Sequence, residues 1–263
     1  MNHEALAGPV RTVVITGGAG HLGRSVARWW AKPDVQVVLI DRDADKLKQC
    51  RIDVERVGAN AIAIEADIAE SGAVRQAIAS LPDSAWRAPP SLVLAHGIAG
   101  KSPGQPGVGL AALGDALWRT VLDINLTSIV FTVQCFLPIM KRAGGGRIVL
   151  VSSAAGLAAS PTAALPYSVS KAAVAALPRI LAPELAALGV LINAVAPGKF
   201  VNPEWPEDPD QLSRYQAAVP IGRLASADEV AELIGFLSSA ANTYLTGQTV
   251  LQDGGRLGST ATP

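Results

Sequence analysis

Covalent and metal staples have little to work with here. Only two cysteines occur in 263 residues, Cys50 and Cys135. They stand far apart with no CxxC spacing, which argues against a disulfide framework or a zinc site and leaves both as small apolar core groups. Charge is also scarce, at 17% of residues against the ~25% usual in globular chains. The 22 basic residues cancel the 22 acidic ones, so the basic excess of an electrostatic nucleic-acid binder is missing. A membrane span is missing as well, despite a mean hydropathy of +0.31. The charge-free stretch from Ile124 to Met140 contains Asn, Thr, Ser, Gln and Pro, and is too short and too polar to cross a bilayer. The N-terminus carries Glu4 and Pro9 without a basic-then-apolar signal pattern, so a cytoplasmic location is expected. What the chain has is apolar residues, at 49%. That excludes a disordered chain, and one domain of this length buries about three quarters of its unfolded surface without staples.

Short apolar runs alternate with helical patterns. Strands are expected at 10–16, 35–40, 60–64, 91–95, 147–152, 190–194 and 248–251, because these runs are largely β-branched and lack polar alternation, as strands buried on both faces do. Helices are expected at 22–31, 43–57, 70–80, 110–140, 167–188 and 226–239. Strand–helix alternation predicts a single α/β domain over residues 1–263, a doubly wound parallel sheet of the Rossmann type. Two stretches read as irregular. Residues 97–109 are rich in Gly and Pro, and residues 201–220 hold four prolines and a cluster of acids. Loops that follow strands line the ligand crevice in such sheets, so both are expected to face substrate, the second as a lid.

The first strand runs into Thr16-Gly17-Gly18-Ala19-Gly20-His21-Leu22-Gly23, and a helix follows. Gly18, Gly20 and Gly23 satisfy GxGxxG in the strand–turn–helix context that pattern requires. Glycines let the backbone approach a pyrophosphate while the helix N-terminus supplies amide donors. The next strand ends at Asp41, 18 residues past Gly23, where an acid accepts hydrogen bonds from an adenosine ribose. Its carboxylate would repel a 2′-phosphate, favouring NAD over NADP. Arg42 is the counter-signal, since a guanidinium can bind that phosphate.

Downstream lie Ser152-Ser153 and then Tyr167-Ser168-Val169-Ser170-Lys171. Tyr167 and Lys171, four apart, share a helix face. An ammonium near a phenol lowers the Tyr pKa from ~10. Such a Tyr can take a proton from an alcohol as hydride leaves its carbon, or donate one to a carbonyl in reverse. A serine at the end of the neighbouring strand can bind the same oxygen.

Taken together, these elements resemble the short-chain dehydrogenase/reductase family in its short form, over nearly the whole chain. The glycine turn, Asp67, Asn125, Ser153, Tyr167, Lys171, Asn193-Ala194-Val195-Ala196-Pro197-Gly198, Pro220-Ile221-Gly222-Arg223-Leu224 and Asp253-Gly254-Gly255 fall in family order. The resemblance implies Tyr167 as acid/base and Lys171 as holder of the nicotinamide ribose. It implies Ser153 as the group positioning the substrate oxygen and Asn125 as support for a proton-relay water. Gly17, Gly20, His21, Leu22, Gly23, Asp41, Arg42 and Gly97 would hold the dinucleotide. Asp67 and Ile68 would contact adenine, and the backbone at Pro197, Gly198 and Val201 would hold the carboxamide. The family's helix at Tyr167 implies a homo-oligomer, a dimer or tetramer. No metal is implied. Ser152 is the alternative hydroxyl, Asn125 could instead bend or cap its helix, and Asp67 could cap the helix near Glu70.

Three departures stand out. The turn spacing is TGxxGxxG, that of an extended form including epimerases, and places His21 where a glycine is usual. His21 could donate to a pyrophosphate or simply be solvated. Leu94-Ala95-His96-Gly97 replaces the asparagine-rich N-N-A-G, leaving His96 either beside the ribose or satisfied structurally. Pro178 and Pro183 should kink the helix that begins at Tyr167. The expected reaction is oxidation of a secondary alcohol to a ketone, or its reverse, with NAD(H). Rival readings are an NADPH carbonyl reductase, a noncatalytic dinucleotide sensor and an epimerase. Glu204, Glu207, Asp208 and Asp210 in the lid disfavour a polyanionic substrate, with Lys199 and Arg214 close by. Trp205 and Tyr215 could cover an apolar ring or pack the lid.

Overall fold

The computed structural model describes residues 11–86 and 88–258. Val10, Glu4 and Pro9 lie outside them. Seven strands form in the seven places expected: β1 (Arg11–Thr16), β2 (Val35–Asp41), β3 (Asn60–Glu65), β4 (Ser91–Leu94), β5 (Gly146–Val151), β6 (Val190–Pro197) and β7 (Thr249–Gln252). All pair in parallel, in the order β3-β2-β1-β4-β5-β6-β7. Side chains alternate between faces along each strand, and the two resulting cores divide the helices. Val13, Ile15, Val37, Leu39 and Val93 pack with α1 (His21–Trp30), α2 (Ala44–Arg56) and α8 (Ala227–Ser238). Val14, Val38, Leu92, Leu94, Ile148 and Leu150 pack with α3 (Ser71–Ala79), α5 (Ser128–Arg142) and α6 (Leu165–Ala186).

Three expectations are corrected. The run expected as one helix over 110–140 is a short 3-10 turn at Leu110–Ala112, then α4 (Asp115–Leu122), a π turn at Asp123–Thr127, and α5. The helical run Asp115–Arg142 is therefore longer than the charge-free stretch, and by length and composition alone it could cross a membrane. Here Ile129, Val133, Phe136 and Met140 lie in the core beneath the sheet. Second, α6 runs from Leu165 to Ala186 rather than from 167 to 188, with Pro178 and Pro183 inside it. Each proline removes a donor at a cost of ~3 kcal/mol, and burial of Val174, Pro178 and Leu185 against the sheet side opposes it. Third, the lid is not irregular throughout, since α7 spans Pro209–Ala217. Asp208 caps it by accepting from Asp210 N and Gln211 N, and Pro209 sits in its first turn, where no N–H is needed.

Candidate active site

Three adjoining cavities open beyond the carboxyl ends of the strands, where a doubly wound sheet binds ligands. The first, of about 360 Å³, is lined by Gly17, Gly20, Asp41, Arg42, Asp67, Ile68 and Gly97. The second, of about 700 Å³, is lined by Gly17, Gly20, His21, Leu22, Gly23, Gly97, Ser153, Tyr167, Lys171, Pro197 and Gly198. The third, of about 270 Å³, shares Ser153, Tyr167, Pro197 and Gly198 with the second. Val201 lines none of these and Asn125 is fully buried behind them. Ile98 and Phe200, which the motifs do not single out, line them too.

The glycine turn is fixed by close backbone approach. Gly17 has φ +69°, and a Cβ there would stand 2.7 Å from His96 Cα; one at Gly23 would stand 2.0 Å from the Gly17 carbonyl oxygen. Gly20 differs. It is exposed, borders the first two cavities, and a Cβ would meet only the Gly17 oxygen, at 3.3 Å. The protein's own packing does not demand a glycine there, whereas a phosphate drawn close to the backbone would. The residues therefore fit a dinucleotide. Asp41 closes the turn, its carboxylate accepting from Ala19 N at 3.1 Å and Arg42 N at 2.8 Å. Asp67 accepts from Ala69 N at 3.0 Å, while Glu70 is the N-cap of α3, so Asp67 does not cap that helix.

His96 is a satisfied structural residue. Ser128 Oγ spends its proton on Ile124 O at 2.6 Å, so it accepts from His96 Nε2 at 2.8 Å. The Nδ1 atom then accepts from Thr16 Oγ1 at 2.6 Å. Burial and the Lys171 charge hold this imidazole neutral, its pKa pressed down to about 3. Asn125 sits in the π turn, a form common at functional sites. Its Oδ1 accepts from Ile98 N at 2.8 Å, and its Nδ2 donates to Ile98 O at 2.9 Å and to Ser170 Oγ at 3.1 Å. It thus clamps the loop beside Gly97, whose missing Cβ would stand 3.3 Å from Lys171 Nζ.

Ser152 and Ser153 separate cleanly. Ser152 is buried and donates to Lys171 O at 2.7 Å, whereas Ser153 lines the two cavities beside Tyr167. Tyr167 and Lys171 lie one turn apart on α6, with Nζ 5.9 Å from the ring centroid and donating to Val151 O at 2.8 Å. The expected lowering of the Tyr pKa by the ammonium does not dominate. Burial raises it and the Ser153 hydroxyl pulls the other way. Burial also presses Lys171 down to about 8. At neutral pH the phenol keeps its proton.

The lid leans on the glycine turn. His21 Nε2 donates to Val201 O at 3.0 Å and its ring stacks on Phe200, a third role beside the two expected. Glu204 pairs with Arg24 and, at 3.1 Å, with Lys46. Glu207 pairs with Lys199. With Asp208 spent on the α7 cap, three of the four lid acids, Glu204, Glu207 and Asp208, hold structural contacts. Trp205 and Tyr215 both line the third cavity.

A glycine turn entering a helix, an acid closing the second strand, and a Ser–Tyr–Lys set at the cleft define an oxidoreductase built on a dinucleotide-binding sheet. Residues 17–256 match the sequence model of a family described as enoyl-(acyl carrier protein) reductase, and the chain belongs to the short-chain dehydrogenases/reductases. It is 36% identical over 248 residues to a cis-4-hydroxycyclohexanecarboxylate dehydrogenase of Sinomonas cyclohexanicum, covering 93% of this chain and 96% of that one. It superposes on a 3-oxoacyl-[acyl-carrier protein] reductase with bound NAD from Brucella melitensis, at TM-score 0.82 and 30% identity, covering 97% of this chain and 95% of that one. An actinorhodin polyketide ketoreductase with NADPH gives TM-score 0.81 at 28% identity, covering 94% and 97%.

Proposed function

We propose that this protein interconverts a secondary alcohol and a ketone with NAD(H). The observation that carries the reading is the wall shared by the second and third cavities, where Ser153 and Tyr167 both stand between the larger groove and a smaller pocket. A bound nicotinamide supplies hydride acceptance or donation. The chain's own residues do the rest. Ser153 holds the substrate oxygen, Tyr167 moves the proton at that oxygen, and Lys171 stabilises the phenolate formed during oxidation. Asn125 keeps the Gly97–Ile98 loop against Lys171. Asp41, held at the mouth of the first cavity, supports NAD. A second reading, NADPH, is favoured by Arg42 and Lys46 on the same cavity. Exposed Phe131 on α5 and Ile180 on α6 support assembly into a homo-oligomer, and we place the enzyme in the cytoplasm, where the reduced and oxidised dinucleotides are at hand.

The test is an absorbance assay of NAD and NADP reduction over a panel of secondary alcohols. Tyr167→Phe should lower kcat by ~10²–10⁴-fold with dinucleotide affinity unchanged. Unaltered turnover, or no net reduced cofactor in the wild type, would sink the reading, and a strong NADP preference would replace its cofactor half.

A further inference from the structure

We propose that the third cavity is a carboxylate site and that the substrate is a small hydroxy or oxo acid, its anion held by Lys101, Lys199 and Arg256. This rests on the alcohol/ketone reading above and names its substrate class. Three cations line the cavity against one carboxylate, Glu207. Two of them converge on one aromatic ring: Arg256 Cζ stands 4.5 Å and Lys199 Nζ 5.4 Å from the Tyr215 centroid. Tyr215 in turn accepts from Lys199 N at 2.9 Å, which joins α7 to the segment after β6.

Glu207 pairs with Lys199 and Lys101 Nζ donates to Gln105 O at 2.9 Å, so one carboxylate faces three cations and Arg256 has no carboxylate partner among the described residues. Asp253, close in sequence to Arg256, spends its carboxylate on Gly255 N at 2.9 Å and Leu257 N at 2.7 Å. It shapes the turn that presents Arg256 and does not pair with its guanidinium. Arg256 Nε is buried without a hydrogen-bond partner among the described residues, a costly state for a charged donor that an incoming oxygen would relieve. Even with Glu207 beside it, Lys199 is pressed down to about 8 by desolvation and by the charges of Lys101 and Arg256, so the cluster keeps a cationic excess. A fork of guanidinium donors suits a planar carboxylate. The remaining wall is apolar, with Ala154, Ala155, Phe200, Trp205 and Leu257. A volume of about 270 Å³ lies at the small end of ligand sites, which run ~300–1,000 Å³. It suits a short or single-ring acid.

The test uses matched pairs, each hydroxy acid with its own carboxamide, across short-chain and cyclic members. In the wild type the acids should exceed their amides at least tenfold in kcat/KM, a comparison that needs no variant to fold. Arg256→Gln and Lys199→Gln should each bring that ratio toward one. Amides turned over as well as acids, or a ratio untouched by both substitutions, would overturn the proposal. Calorimetry with benzoate and benzamide on the NADH-saturated protein separates this site from the chemistry. Benzoate should bind at least tenfold more tightly, and Arg256→Gln should remove the difference. If benzoate binds in this way while no alcohol reduces the cofactor, the anion site stands and the dehydrogenase reading falls. If alcohols are oxidised while benzoate and benzamide bind alike, the anion site falls alone.

Discussion

The two walls of the cleft are held by different kinds of bond. On the dinucleotide side, backbone bonds tie neighbouring strand ends: Gly18 N to Ile40 O at 3.2 Å, Ala66 N to Asp41 O at 2.9 Å, and Ala95 N to Thr16 O at 3.1 Å. On the substrate side, side chains reach across the sequence. His21 meets Val201 and Arg24 meets Glu204, each 180 residues away, and Lys46 meets Glu204 across 158. Backbone bonds at strand ends are insensitive to salt and leave no room for adjustment. Partly exposed ion pairs contribute only ~0–1 kcal/mol each and are screened within ~8 Å at physiological salt. One wall is thus tied by backbone, and the other is held by side-chain contacts of small individual energy.

The largest effect is expected where the walls meet. Tyr167 has a raised pKa, so its phenolate is scarce at neutral pH and alcohol oxidation should climb with pH. Between pH 6 and 7, below the loss of the Lys171 proton at about 8, kcat/KM for oxidation should rise about tenfold per unit. Ketone reduction, which needs the protonated phenol, should stay level. An oxidation rate flat over this range would show that Tyr167 does not supply the base. Next comes the backbone-tied wall. Gly23→Ala sets a methyl against the Gly17 oxygen and should cost about 1–3 kcal/mol, lowering Tm by ~2–4 °C per kcal/mol and weakening dinucleotide binding in a titration. A variant with the Tm and affinity of the wild type would remove the distinction between the walls. The smallest effect belongs to the lid. Glu204→Gln breaks two ion pairs and should raise dinucleotide KM about two- to fivefold with Tm nearly unchanged, within ~1 kcal/mol. Added NaCl should produce the same rise in the wild type and none in the variant; a wild-type KM indifferent to salt would show that the lid is held otherwise.

The same contrast explains what could be read from the sequence. All seven strands were legible, because a run buried on both faces announces itself locally, and the Thr16–Gly23 turn and the Tyr167–Lys171 spacing are local too. Ser153 over Ser152 followed from motif position. The long helix at 110–140 was not divisible by pattern, since a π turn inserts a residue without changing composition. Helix α7 was hidden by Pro209 and the prolines before it, although Asp208 followed by Pro209 is a capped helix start. Arg256 was invisible. No local pattern joins it to Lys199, and only the fold brings both to Tyr215. Glu204 misled for the same reason, its partners Arg24 and Lys46 lying far away in the chain.

The π turn at Asp123–Thr127 also bears on how this architecture could change. A π turn holds one residue more than an α turn, so the helices on either side keep their phase and their buried stripes whether or not the extra residue is there. Asn125 lies within that turn. The amide that clamps Ile98 is therefore carried on the turn of this run that departs from α geometry. Within one unbroken helical run, the chain keeps what it needs to fold apart from what it uses to shape the cleft.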